Sequence, residues 1–254
     1  FFGKYCESDI MRFFVFIVAI LNVIYGQTNN DTCPGEYEGT PPDRVSPIPP
    51  LQDYINALQT LNISDVFKDI YKLIEKNDEC WPADKLDGKR LYGGLFVRLS
   101  WHCSGSFRNT DGVGGCAGGR QRFPPESSWP DNTNLDKARA LLHPIKEKYG
   151  DKLSWGDLMI FAGTASILHM GGPVTQVCGG RIDDMDGSKS IPLNNLTDCG
   201  EQGNCQEPIG ASTIGLIYVN PEGVNKDPIP SKSAVRIREI FGRMGMNDSE
   251  TVAL

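Results

Sequence analysis

Apolar and polar residues alternate at helical spacing over several parts of the chain. Residues 51–76 predict two helices, with Ser64 and Asp65 as the cap between them. Residues 91–103 and residues 135–149 repeat the same spacing and predict two more helices. Each of these segments is typical of an amphipathic helix that buries one face.

Start signals support the later helices. Asp131 or Asn132 precedes the helix predicted over residues 135–149 and can cap it. Ser154 opens the next helix, and Asp157 three residues later gives a pattern close to a capping box. The apolar stripe of that helix comprises Trp155, Leu158, Met159, Ala162, Ala165 and Leu168.

The rest of the chain predicts loops and two further helices. Residues 103–130 are rich in glycine and residues 171–210 are polar, so both predict long loops. Residues 233–241 are helical again, and Asn247 or Asp248 can cap a last helix. No pair of strands and no internal repeat stands out, so the sequence predicts an all-α protein with long loops.

The N-terminal pattern is different. Residues 13–21 are all apolar, Arg12 precedes them and the small Gly26 follows shortly after. This order is typical of a secretory signal peptide, and the run is shorter than the roughly 18 apolar residues of a transmembrane helix. A signal anchor or a buried strand is the alternative. If the segment is a signal peptide, that peptide comprises residues 11–26, and residues 1–10 lie upstream of the native product.

The predicted mature segment divides in two. Residues 34–50 contain six prolines, so residues 27–50 predict an extended arm. Residues 51–254 are predicted to form one globular domain.

Composition limits the class of function. The chain has 254 residues, a net charge of −7 and 39% hydrophobic residues, which is ordinary for a globular protein. Its acidity argues against a general nucleic-acid-binding protein, because phosphate binding usually requires an excess of Lys and Arg on one face. No membrane attachment is expected once the signal peptide is removed.

The cysteines favour an oxidising compartment. Eight occur, of which seven follow the predicted signal peptide. No Cys-x-x-Cys pair is present and there are only three histidines, so disulfides are favoured over a zinc site. Cys199 and Cys205 close a short loop and are the first candidate pair. The odd number leaves one thiol free or paired with a cysteine elsewhere.

Glycosylation sequons agree with that compartment. Four Asn-x-Ser/Thr sequons occur, at Asn30, Asn62, Asn195 and Asn247. Together with the cysteines and the signal peptide, they predict a secreted glycoprotein.

One pair of residues suggests chemistry. Arg98 and His102 lie four residues apart on a predicted helix and share a face, with Trp101 beside them. An imidazole can accept a proton at neutral pH, and a guanidinium stays charged. They suit a reaction that moves a proton between two oxygens while negative charge develops, as in peroxide cleavage. A structural histidine on an amphipathic helix is the alternative, and spacing alone does not decide between them.

The surrounding sequence resembles the class I haem peroxidases, the group of catalase-peroxidases, cytochrome c peroxidase and ascorbate peroxidase. The motif RLSWHCSGSFR at residues 98–108 is similar to their distal haem-side segment. SWPDN at residues 128–132 and LSWGDLMIFAG at residues 153–163 follow in the same order. GLIYVNPEG at residues 215–223 and RMGMND at residues 243–248 are similar to catalase-peroxidases specifically.

The resemblance implies the all-α haem peroxidase fold and haem b (iron protoporphyrin IX) as cofactor. It implies a catalase-peroxidase that reduces hydrogen peroxide through a ferryl intermediate in the response to oxidative stress. Small aromatic electron donors would be partners, and the sequence does not identify which ones. A homodimer is compatible with the family.

The resemblance also implies catalytic roles. His102 matches the distal histidine, the base that moves a peroxide proton, and Arg98 matches the arginine that stabilises the charge developing on the oxygen. Asn132 matches the residue that fixes the tautomer of that histidine through a hydrogen bond. Asp131 matches the acidic residue at the mouth of the substrate channel.

A covalent adduct is implied as well. Trp101, Tyr218 and Met244 match the Trp-Tyr-Met adduct with which catalase-peroxidases oxidise a second peroxide to oxygen. Without the flanking motifs, core packing would be the better interpretation of Tyr218 and Met244.

Two positions depart from the family. Cys103 follows the distal histidine, where the family usually has Ser or Ala, and a thiol there would be open to oxidation. We therefore expect Cys103 in a disulfide, with Cys116 as the candidate partner. His143 stands where the family commonly has Trp, and both it and His169 are expected to be structural.

The iron ligand is the largest departure. In the family, the proximal histidine lies a few residues after the segment at residues 243–248, and this sequence stops at Leu254. No metal ligand is therefore expected within the chain, and the proximal histidine is expected downstream of Leu254. We expect an N-terminal fragment of a secreted eukaryotic-type member, with the distal half of the site and little activity alone.

Two alternatives stay open. One is a secreted peroxidase of the same fold with little catalase activity. The other is a non-catalytic secreted binding protein on the same fold that uses its cysteine-rich loop.

Overall fold

The computed structural model describes residues 5–7, 49–109, 112–129, 132–174, 176–190 and 230–253. Several predicted features lie outside them: the signal peptide, nearly all of the proline-rich arm, Asp131, Tyr218, Cys33, Cys199 and Cys205.

Seven α-helices form the framework of the described residues, which confirms the predicted all-α class. They are α1 (Leu51–Gln59), α2 (Ile63–Ile74), α3 (Gly93–Ser104), α4 (Leu135–Tyr149), α5 (Trp155–His169), α6 (Pro230–Arg243) and α7 (Asp248–Ala253). None of the helices within the described ranges is both long and apolar enough to span a membrane.

Helix α5 lies at the centre and packs against α2, α3 and α4. Buried residues occur around nearly its whole circumference, as expected of a helix in the interior of a domain. The members of its predicted apolar stripe from Trp155 to Ala165 are buried, and Leu168 is half-buried at the edge of the core. Burial of α5 therefore organises the helices around it.

A close backbone approach fixes α3 against α5. Gly163 of α5 faces Ser100 of α3, and a Cβ atom at Gly163 would lie 2.3 Å from the Cβ of Ser100. Only two small residues allow this separation. The approach sets the position of the helix that carries Arg98 and His102.

The start of α2 differs from the prediction. The side chain of Asn62 accepts a hydrogen bond from the backbone N–H of Ser64 at 3.1 Å and caps the helix. The predicted cap at Ser64 and Asp65 is therefore wrong. Ile63 is the first residue of α2 and is buried, so the buried face of the helix begins before Ser64.

The start of α4 also differs, whereas that of α5 is as predicted. Asn134, in the left-handed conformation with a φ of 68°, precedes α4. The predicted cap at Asn132 is wrong because its side chain binds other groups. Ser154 caps α5, and its Oγ accepts a hydrogen bond from the N–H of Asp157 at 3.0 Å.

Short strands correct the prediction that strand pairs are absent. β1 (Tyr5–Glu7) pairs antiparallel with β4 (Val177–Gly179), and β2 (Asp84–Leu86) pairs antiparallel with β3 (Lys89–Leu91). Three residues are too few to show a period of two in the sequence.

Candidate active site

The last two turns of α3 carry three of the predicted site residues. Arg98, Trp101 and His102 all lie within α3. The guanidinium of Arg98 donates a hydrogen bond from Nη1 to the backbone carbonyl of Thr133 at 3.0 Å. Nδ1 of His102 lies 2.9 Å from Oδ1 of Asn132. The side chains of Arg98 and His102 are thus both tied to one short segment before α4.

The surroundings of Asn132 decide the tautomer of His102. Nδ2 of Asn132 donates to the backbone carbonyl of Glu126 at 2.7 Å, and a carbonyl can only accept. The amide oxygen of Asn132 must therefore face His102, so Nδ1 of the imidazole carries the proton. In the neutral ring Nε2 is then unprotonated and can act as a base.

Glu126 is itself held on both sides. It is buried, its carboxylate accepts a hydrogen bond from the Ser190 hydroxyl at 2.7 Å, and Nε of Arg120 lies 3.5 Å from it. Burial raises the pKa of the Glu126 carboxyl, while Ser190 and Arg120 act in the opposite direction. The carbonyl that orients Asn132 therefore belongs to a residue with a fixed side chain.

Buried ion pairs extend from Glu126 to the start of α5. Nη1 of Arg120 donates to the Asp184 carboxylate at 2.8 Å, and Nη2 of Arg122 donates to the Asp184 backbone carbonyl at 2.9 Å. Asp183 accepts hydrogen bonds from the N–H groups of Trp155 and Gly156 at 2.8 and 3.0 Å. A carboxylate at a helix N-terminus is stabilised by those amides and by the helix dipole. Burial nevertheless raises the pKa of the Asp183 carboxyl. The positive charge of Arg122 acts in the opposite direction and offsets part of this effect.

A cavity of about 320 Å³ adjoins the last turn of α3. Trp101 and Met244, two members of the predicted adduct, both line it, together with Arg181 and Met246. The opposite wall is the glycine-rich loop, where a Cβ atom at Gly114 would lie 2.1 Å from the carbonyl oxygen of Ser106. Glycine is thus required at this position for the loop to form the wall.

Phe241 and Arg243 join the end of α6 to the same turn of α3. The rings of Phe241 and Trp101 stack with centroids 5.9 Å apart and an interplanar angle of 29°. The guanidinium of Arg243 donates to the backbone carbonyls of Gly105 and Phe107 at 2.8 and 3.0 Å.

The predicted Cys103–Cys116 disulfide is confirmed. It joins the residue after His102 to the loop that lines the cavity, and both cysteines are buried. Cys80 and Cys178 are also disulfide-bonded. The first candidate pair, Cys199 and Cys205, lies outside the described residues.

The other two histidines have packing partners. The ring of His143 stacks on Trp155 with centroids 6.3 Å apart. Nε2 of His169 lies 3.3 Å from the Glu75 carboxylate. Within the described ranges, no group of three or more His, Cys, Asp or Glu side chains is placed to hold a metal ion.

The structure gathers most predicted site residues and adds others. Arg98, Trp101, His102, Asn132 and Met244 lie around the end of α3, while Asp131 and Tyr218 fall outside the described residues. Sequence reasoning missed the residues that hold this group in place: Glu126, Ser190, Arg120, Phe241 and Arg243. Only the motif at residues 243–248 contained a signal for any of them.

Comparisons with known proteins agree on one family. A family model described as Peroxidase matches residues 68–254. The chain is 48% identical over 217 residues to a catalase-peroxidase of Caulobacter vibrioides, covering 83% of this chain and 29% of the relative. It is 49% identical over 207 residues to catalase-peroxidase 2 of Shewanella sp. strain MR-4, covering 79% of this chain and 27% of the relative.

A third relative matches a segment of similar length. The catalase-peroxidase of Natronomonas pharaonis is 47% identical over 208 residues, covering 80% of this chain and 29% of the relative. The chain thus spans less than a third of the length of these curated relatives.

The disulfide gives a first testable prediction. In denatured but unreduced protein, a maleimide reagent should leave Cys103 unmodified and should modify it after reduction, as read by peptide mass. Replacing both cysteines by serine should lower the free energy of unfolding by about 3 kcal/mol, because the bridge joins residues 13 positions apart. Cys116→Ser alone should make Cys103 reactive in denatured, unreduced protein. Labelling of Cys103 in the wild type under those conditions would contradict the assignment.

Proposed function

This chain belongs to the peroxidase family, and on that premise we propose that the protein containing it is a haem-dependent catalase-peroxidase. The observation that carries the proposal is the His102–Asn132–Glu126 series of hydrogen bonds, which leaves Nε2 of His102 free of its proton. The retained arginine on the same face of α3 supports the same interpretation.

The side chains around α3 suit the distal side of a haem. A neutral imidazole base and a permanently charged guanidinium are the two groups that peroxide cleavage requires, and both are supplied here. Haem b, when bound, supplies an iron centre that accepts the oxidising equivalents of the peroxide. His143 stacks on Trp155, and His169 lies beside the Glu75 carboxylate. We therefore propose that the iron is ligated by a histidine downstream of Leu254.

Each described residue has a defined task in this proposal. Nε2 of His102 accepts a proton from one peroxide oxygen and delivers it to the other, so that the leaving oxygen departs as water. The guanidinium of Arg98 stabilises the negative charge that develops on that oxygen. Asn132 holds the imidazole in the required tautomer. Asp131 is proposed to act at the channel mouth, from the family resemblance alone.

Hydrogen peroxide is the proposed substrate, and small aromatic molecules are the proposed electron donors. Two one-electron donors and two protons complete the reduction of one peroxide to two waters.

We also propose the Trp-Tyr-Met adduct and, with it, catalase activity. Trp101 and Met244 line one cavity, which supports a covalent link between their elements. A Trp101–Tyr218 bond releases two protons and two electrons, and a bond from Sδ of Met244 to the Tyr218 ring releases one proton and two electrons. Two peroxide molecules accept the four electrons and, with a further proton from solvent, become water.

Removing the base gives the sharpest test of the proposed function. His102→Leu should slow the reaction with peroxide by about 10³-fold, and Arg98→Leu by about 10²-fold, because one loses the proton acceptor and the other the charge stabilisation. Stopped-flow absorbance of the haem-loaded full-length protein measures both rates. His169→Gln is the matched control, since that imidazole contacts the exposed Glu75 and the ring of Tyr71. A wild-type rate in His102→Leu would rule out the assigned base.

The adduct is tested by peptide mass and oxygen evolution. After peroxide treatment of the haem-loaded protein, Trp101, Tyr218 and Met244 should occur in one cross-linked species. Met244→Ile should lose oxygen evolution while it retains oxidation of an aromatic donor, and Met185→Leu, an exposed methionine, should change neither. Finding Tyr218 and Met244 of the wild type in separate unmodified peptides would favour a peroxidase with little catalase activity.

Secretion is proposed from the apolar run at residues 13–21 and is supported by the disulfides. When the full-length protein with a C-terminal tag is expressed in eukaryotic cells, it should appear in the medium with Gln27 as its first residue. Peptide sequencing of the secreted form measures this. A protein that stays in the cytosol with residues 11–26 attached would disprove the proposed signal peptide.

A further inference from the structure

Three residues at and just after the end of α6 meet the last turn of α3 and the loop that follows it. Phe241 stacks on Trp101, Arg243 binds the carbonyls of Gly105 and Phe107, and Met244 follows in the wall of the cavity that Trp101 lines. Arg243 stands between the aromatic contact and the methionine. Its hydrogen bonds join parts of the chain that are 136 and 138 residues apart.

The carbonyls that Arg243 binds lie at a helix C-terminus. α3 ends at Ser104, so the carbonyl of its C-cap Gly105 has no donor within the helix, and Phe107 lies in the loop that follows, close to the negative end of the helix dipole. The planar guanidinium can donate to two acceptors at once, which an ammonium group does with less fixed geometry. The backbone carbonyl of Arg243 also accepts a hydrogen bond from the N–H of Asn109 at 2.9 Å. Residue 243 is therefore fixed through both its side chain and its backbone.

Arg243 remains charged although it is buried. Burial lowers the pKa of its guanidinium to about 10, and the charge of Arg108 acts in the same direction. The side chain is thus a cation at neutral pH in a place where an unpaired charge would be costly. The two carbonyls and the helix dipole offset that cost and tie the cation to one position.

We propose that Arg243 is a positioning residue that holds the sulfur of Met244 beside Trp101. This rests on the proposed adduct for its purpose, but the position itself can be measured separately. Met244 is only 8% exposed, and the residue before it is fixed to the loop that follows Trp101 and His102. Loss of the guanidinium fork releases the last turn of α6, so that Met244 leaves the cavity.

The test compares Arg243→Lys with Arg238→Lys in the full-length protein. Both keep the charge, but Arg238 lies on the same helix with a side chain that is 65% exposed and pairs with Asp248. Arg243→Gln is a second variant, which keeps one amide donor and removes the charge. Circular dichroism and thermal unfolding identify the variants that fold.

The first measurement is the oxidation of Met244 by chloramine-T, without peroxide, followed by peptide mass. Oxidation should be about fivefold faster or more in Arg243→Lys and Arg243→Gln, and within about twofold of wild type in Arg238→Lys, because a released sulfur becomes accessible. Unchanged oxidation of Met244 in folded Arg243 variants would overturn the proposal.

The second measurement is the adduct after haem loading and peroxide treatment. In Arg243→Lys, Trp101 and Tyr218 should be linked while Met244 stays in an unmodified peptide, whereas Arg238→Lys should form the complete adduct. A complete adduct at the wild-type yield in Arg243→Lys would also overturn the proposal. Faster oxidation of Met244 in the variants, with no adduct in wild type, would support the positioning role and disprove the proposed adduct alone.

Discussion

The hydrogen bond from Nδ2 of Asn132 to the Glu126 carbonyl decides what the neighbouring imidazole can do. An amide side chain can turn over at little cost, and a turned amide would present N–H to His102 and place the ring proton on the wrong nitrogen. The carbonyl of Glu126 removes that freedom, because it has no hydrogen to donate. One backbone acceptor thus selects one of two imidazole tautomers.

The position of the Glu126 carbonyl depends on the stability of the segment that carries it. Glu126 lies in a short 3-10 turn, which has little stability of its own. Its buried carboxylate, Ser190 and Arg120 attach the turn to the segment after β4, and Arg120 continues the attachment to Asp184. Buried ion pairs often add little net stability compared with apolar packing, so we attribute their use here to placement of the turn.

The sequence predicted the helices well and the connections between them poorly. The apolar stripe of α4 and the Ser154 cap of α5 are local patterns, and local patterns can be read from one segment. The Arg120–Asp184 pair joins residues 64 positions apart, and the sequence around either residue contains no pattern that predicts the other. The four-residue spacing of Arg98 and His102 is local and drew attention to them, and the family resemblance supplied their roles, whereas Arg243 acts on carbonyls that every residue possesses and that no sequence pattern marks.

The location of Trp101 and His102 explains why so many attachments meet there. Both lie in the last turn of α3, and the end of a helix frays most easily because its final carbonyls lack partners. A residue that must keep its place to within a fraction of an ångström needs support from outside the helix. Three attachments supply it from different directions: the disulfide at Cys103, Asn132 at the imidazole, and Arg243 at the carbonyls beyond Ser104. Since a disulfide restrains the backbone while Asn132 restrains one ring, neither can substitute for the other, and Arg243 connects this turn to α6 together with Phe241, which stacks on Trp101.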